Sequence, residues 1–455
     1  MSITMHNTLS RQKEPFVPMR DGVVRMFVCG PTVYGPSHVG HAKTYTQFDF
    51  IARYLRRAGY DVTYAQNITD VDDKIIRRAA ERGTPPGELA AEFEARYLAD
   101  MAALGNNGVD VYARAHDHVD AIVAQVEELA RRGHAYRTSG GWYYDLSTFP
   151  AYGRLSGRRE ARSEDSVARV GEDAGKRNPG DFALWKARKP GEPFWDTSLG
   201  QGRPGWHIED TAITETLFGS QYDIHGGGTD LIFPHHEAEI AQMEAASGRA
   251  PLARYWLHTG LLRASGAKMS KSGGNSRSIQ KLLEGIDYRT LRYAFLSQHY
   301  RSSMELGDAV LDNARSARRR VENFYRTCDR SSPDSPANIA RSREATTRFY
   351  ERLDDDFDTP GALGVLFGFL RAQNRSDETL GPAARAFVAD VGDLFDTFLL
   401  EDGIEHDSCV DELINRRRRL RQEGRYTEAD AVREALRGLG VVVEDGRHDT
   451  RWRRQ

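Results

Sequence analysis

Two strand-like segments that flank one amphipathic helix most constrain how this chain can fold. VVRMFVCG (23–30) reads as a buried strand ending in a glycine turn, and DVTYAQNIT (61–69) reads as a second strand. Between them apolar residues recur at helical spacing, and Gly59 stands where a helix C-terminus favours glycine. Strand, loop, helix and strand within about 45 residues make a βαβ unit, which predicts a parallel sheet.

The same sheet is predicted to resume much later in the chain. YDIHGGG (222–228) and RYWLHTGLL (254–262) are strand-like. A helix is predicted between them, from Phe233 or Pro234 to about Ser247. The fold class is therefore α/β, with a nucleotide-binding sheet built from two separated halves.

The intervening chain reads as an insertion. Helical periodicity fills roughly 86–134, and GWYYD (141–145) reads as a short strand. From about 151 to 205 the pattern breaks down into charged, glycine- and proline-bearing sequence, which we interpret as loop.

The remaining chain is predicted to be helical. After the flexible joint SKSGGNSRS (270–278), helical segments run to residue 400 and favour an all-α bundle. The final unit, 409–455, has two helical stretches separated by Gly424, and its EDG turn between strand-like arms predicts a hairpin. The bundle segments are predicted near 289–298, 307–328, 338–355, 361–374 and 382–400.

Composition excludes several classes of protein. No run of 18 apolar residues occurs, so no membrane span is expected, and the N-terminus lacks the apolar core of a secretion signal. Three scattered cysteines, Cys29, Cys328 and Cys409, argue against a disulfide framework and favour a reducing cytoplasm. The net charge of −3 means that any RNA-binding surface is a local patch.

PSHVGH (36–41) places His38 and His41 between a predicted strand end and a helix start. Ligands of open parallel sheets bind at the carboxyl ends of strands, and helix N-termini attract phosphate oxygens. Both histidines could donate hydrogen bonds to a nucleotide as charge shifts between its phosphates. The alternative is a pair of helix-capping or core histidines.

AKMSKSGGN (267–275) follows the last predicted strand and carries Lys268 and Lys271. A mobile loop of this kind can bring two ammonium groups onto a pyrophosphate, and nucleotidyl transfer depends on such charge neutralisation. The alternative is an ordinary solvated lysine loop.

Together, HVGH and KMSKS resemble the two defining motifs of class I aminoacyl-tRNA synthetases. From about residue 5 to the end, the chain further resembles the cysteinyl-tRNA synthetase family. The shared segments are VCGPTVY before HVGH, NITDVDDKI (67–75), GRPGWHIE (202–209), DIHGGGTDLIFPHHEAEIAQ (223–242), HYRS (299–302), DDDFDTP (354–360) and the closing EADAVREALRGLGVVVEDG with TRWRR.

The resemblance implies that ATP and Mg²⁺ activate L-cysteine, which is then transferred to tRNA(Cys). It places ATP near Gly40, His41, Asp230, Lys268 and Lys271, with His38, His41 and the two lysines stabilising charge at the phosphates. The amino-acid pocket would be lined by Gly30, Thr69, Trp206 and His225. The implied domains are a catalytic domain in two halves (1–76 and 206–272), a connective insertion (77–205), a stem-contact region (273–305), a tRNA-binding helical bundle (306–400) and an anticodon-binding unit (401–455).

The family also implies a zinc ion that grips the substrate thiol, since thiolate binds zinc far better than hydroxyl does. Three family ligands match Cys29, His235 and Glu239, and the last two share one face of a helix. The fourth position, a cysteine in the family, is Asp210 here. Aspartate can bind zinc through oxygen, although softness is lost. The alternative is a metal-free site in which Asp210 bonds His235 or nearby backbone.

RNA binding is expected of the C-terminal half. RRRR (416–419) supplies phosphate-binding charge, and Trp452 could stack on an unpaired anticodon base. The alternative is an arginine-rich solvated helix face.

We expect a cytoplasmic monomer that ligates cysteine to its tRNA. Two rival functions stay open. One is a paralogue that uses another amino acid or acceptor, and the other is a catalytically idle tRNA-binding relic.

Overall fold

Five parallel strands form the central sheet in a computed structural model of the chain, and the βαβ prediction is confirmed. The chain divides into two units, Met1–Leu399 and Leu400–Gln455. Among the described helices, none has both the length and the apolar character needed to cross a bilayer. The structure describes residues 2–159, 175–264, 267–268, 278–329, 331–376, 378–400, 408–445 and 450–454.

Strands and helices are interspersed along the chain as far as the last strand of this sheet. In chain order the elements are β1 (Thr4–Asn7), β2 (Gln12–Pro15), β3 (Val23–Val28), α1 (Val39–Arg57), β4 (Asp61–Ile68), α2 (Asp73–Arg82), α3 (Pro86–Ala103), β5 (Val111–Arg114), α4 (Val119–Arg131), β6 (Ala135–Thr138), β7 (Gly141–Tyr144), β8 (Phe182–Ala187), β9 (Gly202–Pro204), α5 (Ile208–Phe218), β10 (Tyr222–Gly228), α6 (Glu237–Ser247) and β11 (Ala253–Thr259).

Helices dominate the chain after β11. The elements are β12 (Leu262–Ala264), β13 (Ala267–Lys268), α7 (Ile279–Leu283), α8 (Tyr288–Leu296), β14 (Met304–Glu305), α9 (Asp308–Thr327), α10 (Pro336–Asp354), α11 (Thr359–Arg375), α12 (Pro382–Phe395), α13 (Ser408–Gln422), α14 (Tyr426–Gly438), β15 (Val441–Asp445) and β16 (Thr450–Arg454). The five predicted bundle helices and the predicted C-terminal hairpin are therefore confirmed.

The central sheet has the strand order β11-β10-β3-β4-β5. Strands β10 and β3 are direct parallel neighbours, so the two separated halves predicted from the sequence do share one sheet. The carboxyl ends of β3, β4, β10 and β11 consequently lie along one edge, where the residues after each strand can meet.

Two sequence interpretations of the segment before α5 were wrong. Strand β5 is the edge strand of the central sheet, yet it lies inside the stretch predicted as continuously helical. Strands β8 and β9 lie where loop was predicted, and they extend a four-stranded antiparallel sheet, β6-β7-β8-β9. These strands are three to six residues long, too short for a periodic pattern to stand out.

Helix α1 packs against the sheet with a broad buried face that includes Tyr45, Phe48 and Ile51. Its N-cap is His38, whose side chain accepts a hydrogen bond from the His41 backbone N–H. The predicted helix is thus confirmed, and so is the capping role that was the alternative for His38. Capping holds the N-terminus of α1 at the carboxyl edge of the sheet.

Gly30 lies just after β3 and closely approaches Asn67 near the end of β4. Its backbone N–H donates to Asn67 Oδ1 at 2.5 Å. A Cβ atom built on Gly30 would lie 1.8 Å from the backbone oxygen of Asn67, a distance that no side chain tolerates. Glycine is therefore needed here for close approach between two strand ends.

Lys43 is fully buried on α1, directly after the HVGH segment. Its ammonium donates to the carbonyl of Gly260 at 2.7 Å and to that of Tyr300 at 3.4 Å. Desolvation by burial lowers the pKa of Lys43 to about 8. The side chain thus ties α1 to the chain that follows β11 through two uncharged acceptors.

We predict that Gly30→Ala lowers the free energy of unfolding by about 2–3 kcal/mol, because the new methyl group forces the two strand ends apart. Denaturant-unfolding curves of the variant and the wild type measure this difference. Gly35→Ala is the matched control, since a Cβ on Gly35 meets no atom within 4 Å. Equal losses in the two variants would contradict the close-approach argument.

We predict that burial of Lys43 destabilises the folded chain less as pH rises. The pKa of Lys43 is about 8 in the folded chain against a usual value of 10.5, so the unfolded chain binds more protons between these values. Stability relative to Lys43→Met should then increase by about 2 kcal/mol between pH 7.5 and 9.5. The free energies of unfolding of the wild type and of Lys43→Met, measured at both pH values, give this difference. Lys281→Met, at an exposed position on α7, should show no such trend, and a constant offset for Lys43→Met would refute the claim.

Candidate functional site

The four residues predicted as metal ligands meet in the interior. Cys29 follows β3, Asp210 lies in the first turn of α5, His235 precedes α6 and Glu239 lies in its first turn. Cys29 Sγ is 3.1 Å from Asp210 Oδ2 and 3.7 Å from Glu239 Oε1. His235 Nε2 is 3.1 Å from Asp210 Oδ2 and 3.0 Å from Glu239 Oε1. All four side chains are buried.

The separations between these ligand atoms suit a zinc site. Ligand atoms about 2.0–2.3 Å from a tetrahedral zinc lie roughly 3.3–3.8 Å from one another. The four measured separations run from 3.0 to 3.7 Å, close to that range. A thiol, an imidazole and two carboxyl groups are also donors that zinc accepts. The residues present therefore fit zinc.

Burial gives this cluster its electrostatic character. Desolvation raises the pKa of Cys29 well above its usual value, and the neighbouring Glu239 and Asp210 raise it further. Desolvation and then Asp210 likewise raise the pKa of Glu239. Three acidic groups in contact inside a protein cannot all ionise without a cation, and a divalent ion would let them do so.

Asp210 is held in place by a neighbour on β4. Asn67 Nδ2 donates to Asp210 Oδ1 at 2.7 Å, which leaves Oδ2 facing Cys29 and His235. Asp210 also contacts His235. Both the metal-bound and the metal-free alternative predict this contact, so it does not distinguish them. Asn67 was not predicted as a site residue, and its position beside the end of β4 was the available signal.

The predicted pocket residues border the same cluster. The Trp206 ring stacks on His235 with centroids 4.3 Å apart, and His225 Nε2 lies 3.4 Å from Cys29 Sγ. Thr69 Oγ1 donates to Glu209 Oε2 at 2.8 Å. The other oxygen of the buried Glu209, Oε1, has no hydrogen-bond partner among the described residues. Desolvation, followed by the charge of Asp210, raises the pKa of Glu209 well above its usual value.

A connected set of buried histidines beside the cluster was not predicted as part of the site. His236 Nε2 lies 3.1 Å from Cys29 Sγ, and its Nδ1 lies 2.8 Å from His258 Nε2. His207 Nδ1 lies 2.8 Å from His235 Nδ1 on the other side. The doublet His235–His236 was a usable signal, since two adjacent imidazoles at the start of a helix can face different partners.

The predicted nucleotide residues at the start of α1 and directly after β10 lie at the same edge of the sheet. The rings of His38 and His41 stack with centroids 3.8 Å apart at the N-terminus of α1, and a Cβ on Gly40 would press on the His38 ring at 2.9 Å. Asp230 lies in a single helical turn directly after β10. Lys268 belongs to β13, which pairs with β12, and Lys271 lies outside the described residues.

In the C-terminal unit, the arginines of the RRRR run differ in their exposure to solvent. On α13, Arg417 is buried at 3% exposure, whereas Arg416 and Arg419 are exposed. Helical periodicity explains the split, because four consecutive residues cannot share one face. Trp452 lies in β16, opposite Val443 of β15. At most part of the run can supply charge to a ligand.

Three protein-family models match this chain. Residues 15–316 match the model described as tRNA synthetases class I (C) catalytic domain. Residues 348–399 match a DALR domain, and residues 406–453 match the cysteinyl-tRNA ligase anticodon binding domain.

Relatives match along the full length. The cysteine–tRNA ligase of Alkalilimnicola ehrlichii is 44% identical over 99% of this chain and 99% of its own. That of Thermococcus gammatolerans is 42% identical over 100% of this chain and 99% of its own.

Solved structures agree on the fold alone. Methionyl-tRNA synthetase of Mycobacterium tuberculosis, in complex with methionyl-adenylate, has a TM-score of 0.59 at 18% identity, covering 82% of this chain and 88% of that one. The LeuRS–tRNA–LeuAMS complex of Agrobacterium radiobacter K84 has a TM-score of 0.61 at 11% identity, covering 84% of each chain. With a catalytic-domain match over more than half of its length and full-length relatives above 40% identity, this chain belongs to the cysteine–tRNA ligase family of class I aminoacyl-tRNA synthetases.

Proposed function

We propose that the chain activates L-cysteine with ATP and Mg²⁺, forming cysteinyl-adenylate and pyrophosphate, and then transfers the cysteinyl group to tRNA(Cys). The observation that carries this proposal is the thiol-centred cluster of buried metal-type ligands at the edge of the sheet where α1 begins. No side-chain nucleophile is needed, because the carboxylate of the amino acid attacks the α-phosphorus of ATP and pyrophosphate leaves.

Cys29, Asp210, His235 and Glu239 would hold a zinc ion in this scheme. When bound, zinc supplies a soft Lewis acid that prefers the thiolate of cysteine to the hydroxyl of serine. Asn67 orients Asp210, and the Trp206 ring fixes the plane of His235. Such supporting contacts commonly change metal affinity by about 10–100-fold.

The phosphate side uses the N-terminus of α1. The positive end of the helix dipole there favours phosphate oxygens. The His38 ring is oriented by the bond that it accepts from the His41 backbone N–H, and the His41 ring stacks on it. Both imidazoles would stabilise the charge that develops on the leaving pyrophosphate. Lys268 and Lys271 would neutralise that charge, and Asp230 would accept hydrogen bonds from the ribose.

The tRNA would be held by the later parts of the chain. We assign residues 273–305 to the acceptor stem, 306–400 to the body of the tRNA and 401–455 to the anticodon. The matches to a DALR domain and an anticodon binding domain support this order. Because tRNA charging serves translation, we expect a cytoplasmic enzyme, acting as a monomer.

A second candidate is a paralogue that activates another amino acid. The observation that favours it is Asp210, where the family has cysteine, because a carboxylate is harder than a thiolate and weakens the preference of the site for sulfur. Both candidates share adenylate formation, so amino-acid selectivity distinguishes them.

We predict that ATP–pyrophosphate exchange depends on cysteine and is at least about 100-fold slower with serine, because a thiolate gains a metal bond that a hydroxyl does not. Exchange rates are measured with each of the standard amino acids. His41→Asn, the control for the phosphate side, should lower exchange with cysteine about 100-fold. Faster exchange with another amino acid would favour the paralogue, and none at all, with tRNA binding intact, would favour the idle relic.

We predict that Asp210→Cys tightens zinc binding at least about tenfold and increases the preference for cysteine over serine, because a second thiolate restores softness to the site. Zinc content after dialysis against graded chelator, together with exchange rates, measures both effects. Asp210→Asn keeps the shape but adds no soft donor, so it should not tighten zinc binding and should not increase the preference for cysteine over serine. Unchanged zinc affinity in both variants would show that Asp210 does not contact the metal.

A further inference from the structure

Cys29 is shared by two sets of metal-type ligands, and only one of them contains Asp210. In the second set, Cys29 Sγ lies 3.1 Å from His236 Nε2 and 3.4 Å from His225 Nε2. His225 Nε2 lies 3.3 Å from Glu239 Oε2. These side chains are all buried, and their four ligand atoms lie within 4.8 Å of one another.

The two histidines have the partners that metal-bound imidazoles need. His225 Nδ1 lies 2.6 Å from the Tyr222 hydroxyl. His236 Nδ1 lies 2.8 Å from His258 Nε2, and His258 Nδ1 lies 2.8 Å from Thr8 Oγ1. One proton assignment satisfies all three contacts, with each Nδ1–H donating. It leaves both Nε2 lone pairs directed at the space beside Cys29 and Glu239, as ligating histidines require.

The second set also has a lower electrostatic cost. Zinc with Cys29, Asp210, His235 and Glu239 would carry one net negative charge, because three of those ligands are anionic. Zinc with Cys29, His225, His236 and Glu239 would be neutral. A neutral assembly costs less to bury than a charged one, and two imidazoles are softer donors than an imidazole and a carboxylate.

We propose that zinc has two adjacent positions in this chain, and that without substrate it lies in the second, held by Cys29, His225, His236 and Glu239. Since Cys29 and Glu239 belong to both sets, one ion at a time has a complete set of ligands. The inference rests on the proposed presence of zinc, but not on which amino acid is activated. The second position explains how a chain with aspartate, and not cysteine, at position 210 retains zinc.

Zinc content of matched variants tests the proposal. Asp210→Ala removes a ligand of the first set alone and should keep about one zinc per chain after dialysis against a weak chelator. The double variant Asp210→Ala with His236→Ala should lose it, and Cys29→Ala should lose it as well. A zinc-free Asp210→Ala protein, or a double variant that still holds zinc, would overturn the proposal.

X-ray absorption at the zinc edge gives a readout that needs no variant. The substrate-free wild type should show one sulfur and two imidazole ligands, and His236→Ala should show one imidazole. A wild-type spectrum with a single imidazole and two carboxylate oxygens would refute the second position, even if a variant failed to fold. Because neither measurement uses ATP or an amino acid, failure here is separable from failure of cysteine activation.

Discussion

The buried thiol of Cys29 and the carboxyl groups around it are the constraint on which the rest of the site depends. Cys29, Asp210, Glu209 and Glu239 each lie at 4% exposure or less, in a region where isolated negative charge is very costly. Protons alone can satisfy such a cluster, and then its members are hydrogen-bond donors. A divalent cation satisfies it differently, by turning the same groups into ligands. The chemistry of the site therefore depends on which positive species fills it.

The fold assembles this cluster from distant parts of the chain. Cys29 and Asn67 come from the first half of the sheet, whereas His225, His235 and Glu239 come from the second. The parallel register of β3 with β10 brings both halves to one edge. The long segment between them contributes β5 to the edge of the same sheet.

The sequence was sufficient for the βαβ unit and the split sheet, because long periodic segments carry that information. The four clustered residues came from the resemblance to a known family, not from periodicity. It was insufficient for β5, β8 and β9, which are short and stabilised by neighbouring strands rather than by their own pattern. It also could not show that Arg417 turns inward, or that His236 contacts Cys29. Those facts depend on tertiary packing, which cannot be predicted from residue type alone.

Two further family-like segments are explained by a contact between them. HYRS and DDDFDTP meet at the buried carboxylate of Asp356, which accepts from the Tyr300 hydroxyl at 2.8 Å and from Arg301 Nη2 at 2.6 Å. The backbone at Asp356 has a positive φ of 61°, an uncommon conformation for a residue other than glycine. The carbonyl of Tyr300 also accepts from Lys43 on α1. Tyr300 thus joins α1 to the junction of α10 and α11. Asp356 and Lys43 are ionisable groups buried between structural elements, and each is satisfied by more than one hydrogen bond.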